Sequence, residues 1–150
     1  MPTFSKASLA KLETCHPDLQ EVFKYVIKSY DCTIIHGQRT PEEQFELFKK
    51  GRSFVEGRWK IVKPQHVVTY LDGYEKLSNH NYEPSRAVDV MPWYGVKPHI
   101  RWDDFAEMKR FGMMVKGVIC MLRKHKDIEN DIIHGGDWVS FPDYPHWEIA

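Results

Sequence analysis

The sequence predicts an α+β fold, a small antiparallel sheet flanked by helices, in one domain spanning residues 1–150. Three observations carry that prediction. A chain of 150 residues suits a single domain with its own core. A hydrophobic share of 42% beside 28% charged residues is that of a globular protein, and 13% aromatic residues give ample surface to bury. Helical and strand-like segments are mixed without a strand–helix–strand rhythm, which disfavours a parallel sheet.

The elements follow in order. Residues 5–13 read as a short helix. Pro17 suits the first turn of a second helix, along which Leu19, Val22, Phe23, Val26 and Ile27 recur at helical spacing. Residues 31–35 read as a strand. Thr40 can cap a third helix, Pro41 fits its first position and Glu43 completes a capping box; Gly51 ends it after about Lys50. Residues 52–77 intersperse Gly, Lys and Arg with Val67-Val68-Thr69-Tyr70, which predicts a long irregular loop or a small hairpin, the kind of segment that often serves as a lid or binding loop.

Residues 86–90 read as a strand ending at Pro92. Residues 103–124 form the clearest helix: Asp103 and Asp104 sit at its start, and Phe105, Met108, Val115, Val118, Ile119 and Leu122 lie on one stripe. Met108, Met113, Met114 and Met121 are expected as core filling. Ile132-Ile133 and Trp147-Glu148-Ile149 read as the last strands.

Charge and cysteine content narrow the function classes. Lys plus Arg equals Asp plus Glu, 21 each, so the basic excess of a nucleic-acid binder is missing and no nucleic-acid partner is expected. The cluster Arg123-Lys124-His125-Lys126 falls where a helix should end, and cations there suit the helix dipole. Cys15, Cys32 and Cys120 are far apart and odd in number, which reads as small buried side chains in a reducing compartment. No stretch approaches the roughly 18 apolar residues of a membrane span, and the first residues lack the apolar run of a signal peptide. The expected location is therefore the cytoplasm where the chain is made.

Chemistry-bearing residues gather in two places. In strand 86–90, alternation puts Ser85, Ala87 and Asp89 on one face and Val88 and Val90 on the other. Near the end, Asp143 lies three residues before His146, with Pro145 holding the backbone between them. Imidazole nitrogens and a carboxylate oxygen are good zinc donors, and a catalytic zinc needs three protein ligands and one open position. His80, Asp89 and His146 supply two nitrogens and one oxygen, while Asp143 could take a proton from an activated water. Spacing alone leaves a metal site and a purely structural role for these residues evenly matched.

A resemblance adds to this. Ser78-x-His80, Ser85-x-Ala87-x-Asp89 and Asp143-x-x-His146-x-Glu148 resemble the motifs of the D-Ala-D-Ala carboxypeptidase / L-alanyl-D-glutamate peptidase family of zinc peptidases, most of all its phage endolysin branch. Gln38-Arg39-Thr40, Gly135-Gly136-Asp137-Trp138 and Pro145-His146-Trp147-Glu148 fit the same likeness, which spans about residues 5–149. It implies the hedgehog/DD-peptidase-like fold, a Zn2+ cofactor on His80, Asp89 and His146, and Asp143 as general base. Arg39 would hold a substrate carboxylate or the developing oxyanion. Ser78, Gln38, Asp137 and Glu148 are expected around the ligands or the substrate. The commoner family pattern sets the first His and the Asp closer, with a glycine between; here they are nine positions apart with none, which leaves Glu83 as an alternative ligand.

The implied activity is endolysin cleavage between L-Ala and D-Glu of the peptidoglycan stem peptide, by a monomer that reaches the wall once the membrane is breached. The alternatives are removal of D-Ala on the same zinc site, a zinc-stabilised wall-binding module without turnover, and a plain α+β domain. The other histidines are expected to be bland: His16 precedes a helix, and His36, His66, His99 and His125 lie at exposed turns or ends. His134 borders the site or is a satisfied structural histidine.

Overall fold

The computed structural model describes residues 1–150. Four strands form an antiparallel sheet in the order β1 (Cys32–His36), β4 (Ala87–Pro92), β6 (His146–Ile149), β5 (Ile132–His134). Helices α1 (Lys6–Leu12), α2 (Pro17–Val26) and α4 (Phe105–His125) contribute to one core with this sheet, and α3 (Pro41–Phe48) follows β1. The remaining strands, β2 (Arg52–Val55) and β3 (Arg58–Ile61), pair as a hairpin, so the 52–77 region is a hairpin followed by an irregular segment. No helix is long and apolar enough to cross a membrane.

Local chemistry places the helix starts. Ser5 accepts from Ser8 N at the head of α1, and Asp104 accepts from Glu107 N at the head of α4. Thr40 and Glu43 form the reciprocal capping box of α3, with Pro41 at its first position. Arg123, Lys124 and His125 occupy the last turn of α4, where positive charge complements the helix dipole.

The core joins Leu19, Val22, Phe23 and Val26 of α2 to Phe111, Val115, Val118, Ile119 and Leu122 of α4, over Ile34, Val88, Val90 and Trp147 of the sheet. Phe23 meets Trp147 edge-on with ring centroids 6.1 Å apart. Some expectations fail at the margins of α4. Phe105 and Met113 are more than half exposed, and Cys120 is exposed while Cys15 and Cys32 are buried. Phe111 is buried in the core, whereas Phe105 stays exposed at the start of α4. His99 is half-buried against Trp93, stacked at 4.5 Å.

The sheet therefore has an apolar face under α2 and α4 and a polar face opposite. Alternation along β4 puts Val88 and Val90 on the first and Asp89 on the second. A register shift between Ile34 and His36 of β1 brings His36, not Ile35, opposite Asp89. Such a bulge re-aims one side chain at a cost to the ladder. On the other side of β4, Asp89 pairs with His146 and Ala87 with Glu148.

Candidate metal centre and its groove

Asp89 is the hub of the polar face. Its Oδ1 lies 3.1 Å from His146 Nδ1 and 3.4 Å from His80 Nε2. Its Oδ2 lies 3.2 Å from His36 Nδ1 and 3.8 Å from Arg39 Nη2. Burial pushes the Asp89 carboxyl up, but the hydrogen bonds of His146, His36 and His80 outweigh it and hold it well below the ordinary value.

His146 reaches this spot because β6 pairs directly with β4. His80 comes from a 3-10 turn, Asn79–Asn81, that is held by a capping box: Ser78 Oγ accepts from His80 N at 3.3 Å, and Asn81 Oδ1 accepts from Ser78 N at 2.9 Å. The turn is tied to the segment before α3, since Arg39 N donates to His80 O (2.8 Å) and Asn81 Nδ2 donates to Arg39 O (2.9 Å).

The partners assign the ring nitrogens. His80 Nδ1 lies 2.7 Å from the Gly37 carbonyl, which only accepts, so Nδ1 donates there and Nε2 is the nitrogen that faces Asp89. His146 has acceptors on both sides, Asp89 at Nδ1 and Glu148 Oε2 2.7 Å from Nε2. Burial lowers its pKa, but these two carboxylates raise it overall, to about 9. Glu148 in turn is held below its usual range, first by the hydrogen bond from His146.

Ligand atoms of His80, Asp89 and His146 all lie within 4.8 Å of one another, and the three can hold a metal ion. Two imidazoles and one carboxylate form a donor set that zinc favours. The proton between His146 Nδ1 and Asp89 marks where a cation is wanted, while Gly37 and Glu148 fix the two rings from behind as second partners of metal-binding histidines do. Glu83 is exposed and lies outside this group, which contains Asp89.

Beside the cluster opens a groove of about 680 Å³, lined among others by Arg39, Tyr70, Leu77, Trp138, Phe141 and Asp143. Burial first, then the nearby Asp89 charge, raises the Asp143 pKa; His146, His80 and Arg39 oppose this. The loop that carries Asp143 packs tightly on Gly135: Asp143 N donates to Gly135 O at 2.9 Å, and a Cβ on Gly135 would lie 2.6 Å from Asp143 O. Arg39 is lowered by burial and supported by the Asp89, Glu43 and Asp143 charges; as a guanidinium it remains a cation.

Not every candidate residue gathers here. Asp137 is exposed and pairs with Lys116 at 2.6 Å, away from the groove lining. Gln38 is exposed and meets the rest of the molecule through its backbone, N to Thr14 Oγ1 at 2.8 Å. His134 is buried, stacked on Trp147 at 3.9 Å with Nε2 on Tyr144 O, and so takes the structural role. Two residues at the site escaped the sequence reading. His36 is exposed at a strand end, yet the β1 bulge sets it against Asp89. Gln44 is buried beneath the groove and receives the Arg39 guanidinium.

Comparison with known proteins places the chain. A family model described as phage L-alanyl-D-glutamate peptidase matches residues 2–149. The peptidoglycan L-alanyl-D-glutamate endopeptidase CwlK of Bacillus subtilis (strain 168) is 33% identical over 122 residues, 81% of this chain and 62% of that protein. The chain thus spans less than two thirds of that relative's length. The crystal structure of the Serratia marcescens L-Ala D-Glu endopeptidase ChiX shares the fold, with a TM-score of 0.63 at 18% identity, covering 99% of this chain and 90% of that one.

Proposed function

The chain belongs to the phage L-alanyl-D-glutamate peptidase family, and from that premise we propose that it is a zinc endopeptidase cutting the L-Ala–D-Glu bond of peptidoglycan stem peptides. The observation that carries the proposal is the convergence of His80, Asp89 and His146 at the edge of a groove that also presents the Asp143 carboxylate. His80, Asp89 and His146 would hold the zinc, which would supply Lewis acidity toward the scissile carbonyl and lower the pKa of a water toward ~7.

The chain's own residues supply the rest. The Asp143 carboxyl is raised by burial and by the nearby Asp89 charge, as suits a group that must take and return a proton. It accepts the proton of the attacking water as the water oxygen bonds to the L-Ala carbonyl carbon. When the C–N bond breaks, Asp143 returns that proton to the departing D-Glu amine. Arg39, with its side chain 12% exposed and one face toward the groove, holds a stem-peptide carboxylate or the oxyanion. Glu148 keeps the His146 ring turned toward Asp89, and Ser78 holds the turn that presents His80.

Every group named comes from one chain, so a monomer suffices. As an endolysin, it would meet the wall after the membrane is permeabilised. Digestion of purified sacculi followed by mass spectrometry of the products tests the bond choice. New D-Glu amino termini, with L-Ala left on the glycan, are expected. Release of D-Ala alone would assign the site to the carboxypeptidase reaction.

A further inference from the structure

We propose that Gln44 is a positioning residue, one buried amide that fixes both the Arg39 guanidinium and the groove wall formed by residues 67–78. The inference rests on the role given to Arg39 and the groove above. Gln44 lies on α3 and is 1% exposed. Its Oε1 accepts from Arg39 Nη1 at 2.8 Å. Its Nε2 donates to Leu71 O at 2.9 Å and to Thr69 Oγ1 at 3.3 Å. The orientation of the amide is forced, because a guanidinium only donates and a carbonyl only accepts; flipping the amide would oppose like with like at both ends.

Both tethered parts matter to the groove. The other terminal nitrogen of Arg39, Nη2, faces Asp89 Oδ2 at 3.8 Å, so the guanidinium is stretched between Gln44 and the hub of the metal cluster. Its backbone is already locked to the His80 turn, which leaves Gln44 to choose the side chain's direction. Residues 67–78 form no strand or α-helix of their own, yet Val68, Thr69, Tyr70, Leu71 and Leu77 line the groove. The segment is pinned where it crosses α3. Gly73 holds φ +84°, and a Cβ there would lie 2.8 Å from Gln44 Cβ and 2.9 Å from Pro41 O. Arg52 Nη1 adds a bond to Thr69 O at 3.0 Å.

Helix α3 needs no glutamine at this position for its own hydrogen bonds, and an apolar side chain could fill the space. The amide instead satisfies a functional cation on one side and a bare carbonyl on the other. Removing either half takes a partner from the Arg39 guanidinium or from the Leu71 carbonyl.

Two variants separate the halves. Gln44→Glu keeps the acceptor toward Arg39 and loses the donor toward Leu71, whereas Gln44→Met loses both. Measured per folded, zinc-loaded molecule, Gln44→Glu is expected to raise KM by about fivefold or more with kcat within about twofold, and Gln44→Met to lower kcat by about tenfold as well. Hydrogen exchange of residues 67–78 should quicken in both variants relative to the β4 amides. Gly73→Ala, whose Cβ would press on Gln44 and Pro41, should follow Gln44→Glu, and it serves if a Gln44 variant does not fold. Wild-type kcat and KM in the folded variants, a loss of active fraction at unchanged KM, or unchanged exchange in 67–78 would each overturn the proposal. If the wild type itself cleaves no L-Ala–D-Glu bond, the peptidase reading fails, and the exchange comparison still decides whether Gln44 holds the segment.

Discussion

Val88 and Asp89 are neighbours on one strand in opposite surroundings. Val88 is fully buried in the core beneath α2 and α4. Asp89, 14% exposed, faces three imidazoles and a guanidinium. The two faces of β4 are therefore held by different physics. The first is held by apolar area, which responds little to pH or metal. The second is held by charge: the buried Asp89 carboxylate is satisfied by the histidines and the guanidinium around it.

Substitutions should respect that division, and the largest effect lies on the polar side. Asp143→Ala is expected to lower the hydrolytic rate by roughly 10²–10⁴-fold while metal content, read by elemental analysis, stays at the wild-type level. Val88→Ala should do the reverse. It should cost about 2–3 kcal/mol in denaturant unfolding and leave turnover per folded molecule unchanged. Loss of turnover in folded Val88→Ala would break the comparison.

Glu148→Gln comes next. It removes the charge behind His146 without changing shape, and metal affinity by competition with a chelator should weaken by about 10–100-fold.

The metal-free protein sharpens the contrast through pH. His146 rises from 6.5 to about 9 on folding, so its contribution to stability is complete below pH 6.5 and is lost between pH 6.5 and about 9. Asp89 is depressed on folding, so its contribution is present above its ordinary value of 3.8 and is lost only as acid reaches its lowered pKa. Tm of the metal-free protein should therefore fall between pH 6.5 and 9, and Glu148→Gln should flatten that fall. A Tm that holds or climbs over this interval would show that the paired histidine is not protonated. Zinc affinity should strengthen over the same interval, because binding displaces the His146 proton.

The smallest effect belongs to Asp137→Ala. Its exposed pairing with Lys116 contributes little, so unfolding should shift by no more than about 0.5 kcal/mol and activity should stay at the wild-type level.

The same division explains which features could be read from the sequence. The start of α3 was legible because a capping box is satisfied within four residues. Asp89 was legible because strand alternation separates it from Val88 and Val90 whatever the partner strand. His36 was not: strict alternation puts it on the face of Ile34, and only the irregular pairing with β4 turns it to Asp89. Gln44 sits in a helix rich in glutamate and reads as solvated. It is buried by residues 67–78, whose course over α3 leaves no periodic signal. Phe105 and Met113 are apolar, so composition alone places them in the core, yet both are exposed on α4. Asp137 is near the site in sequence, but its loop turns the carboxylate to Lys116.

The central claim is that one ion joins β4, β6 and the 79–81 turn. Anomalous diffraction at the zinc edge, from crystals grown with zinc, addresses it directly. One site per chain is expected, at roughly 2.0–2.2 Å from His80 Nε2, an Asp89 carboxylate oxygen and His146 Nδ1. Zinc found elsewhere on the chain, or none beside Asp89 with the two rings still turned toward it, would contradict the claim.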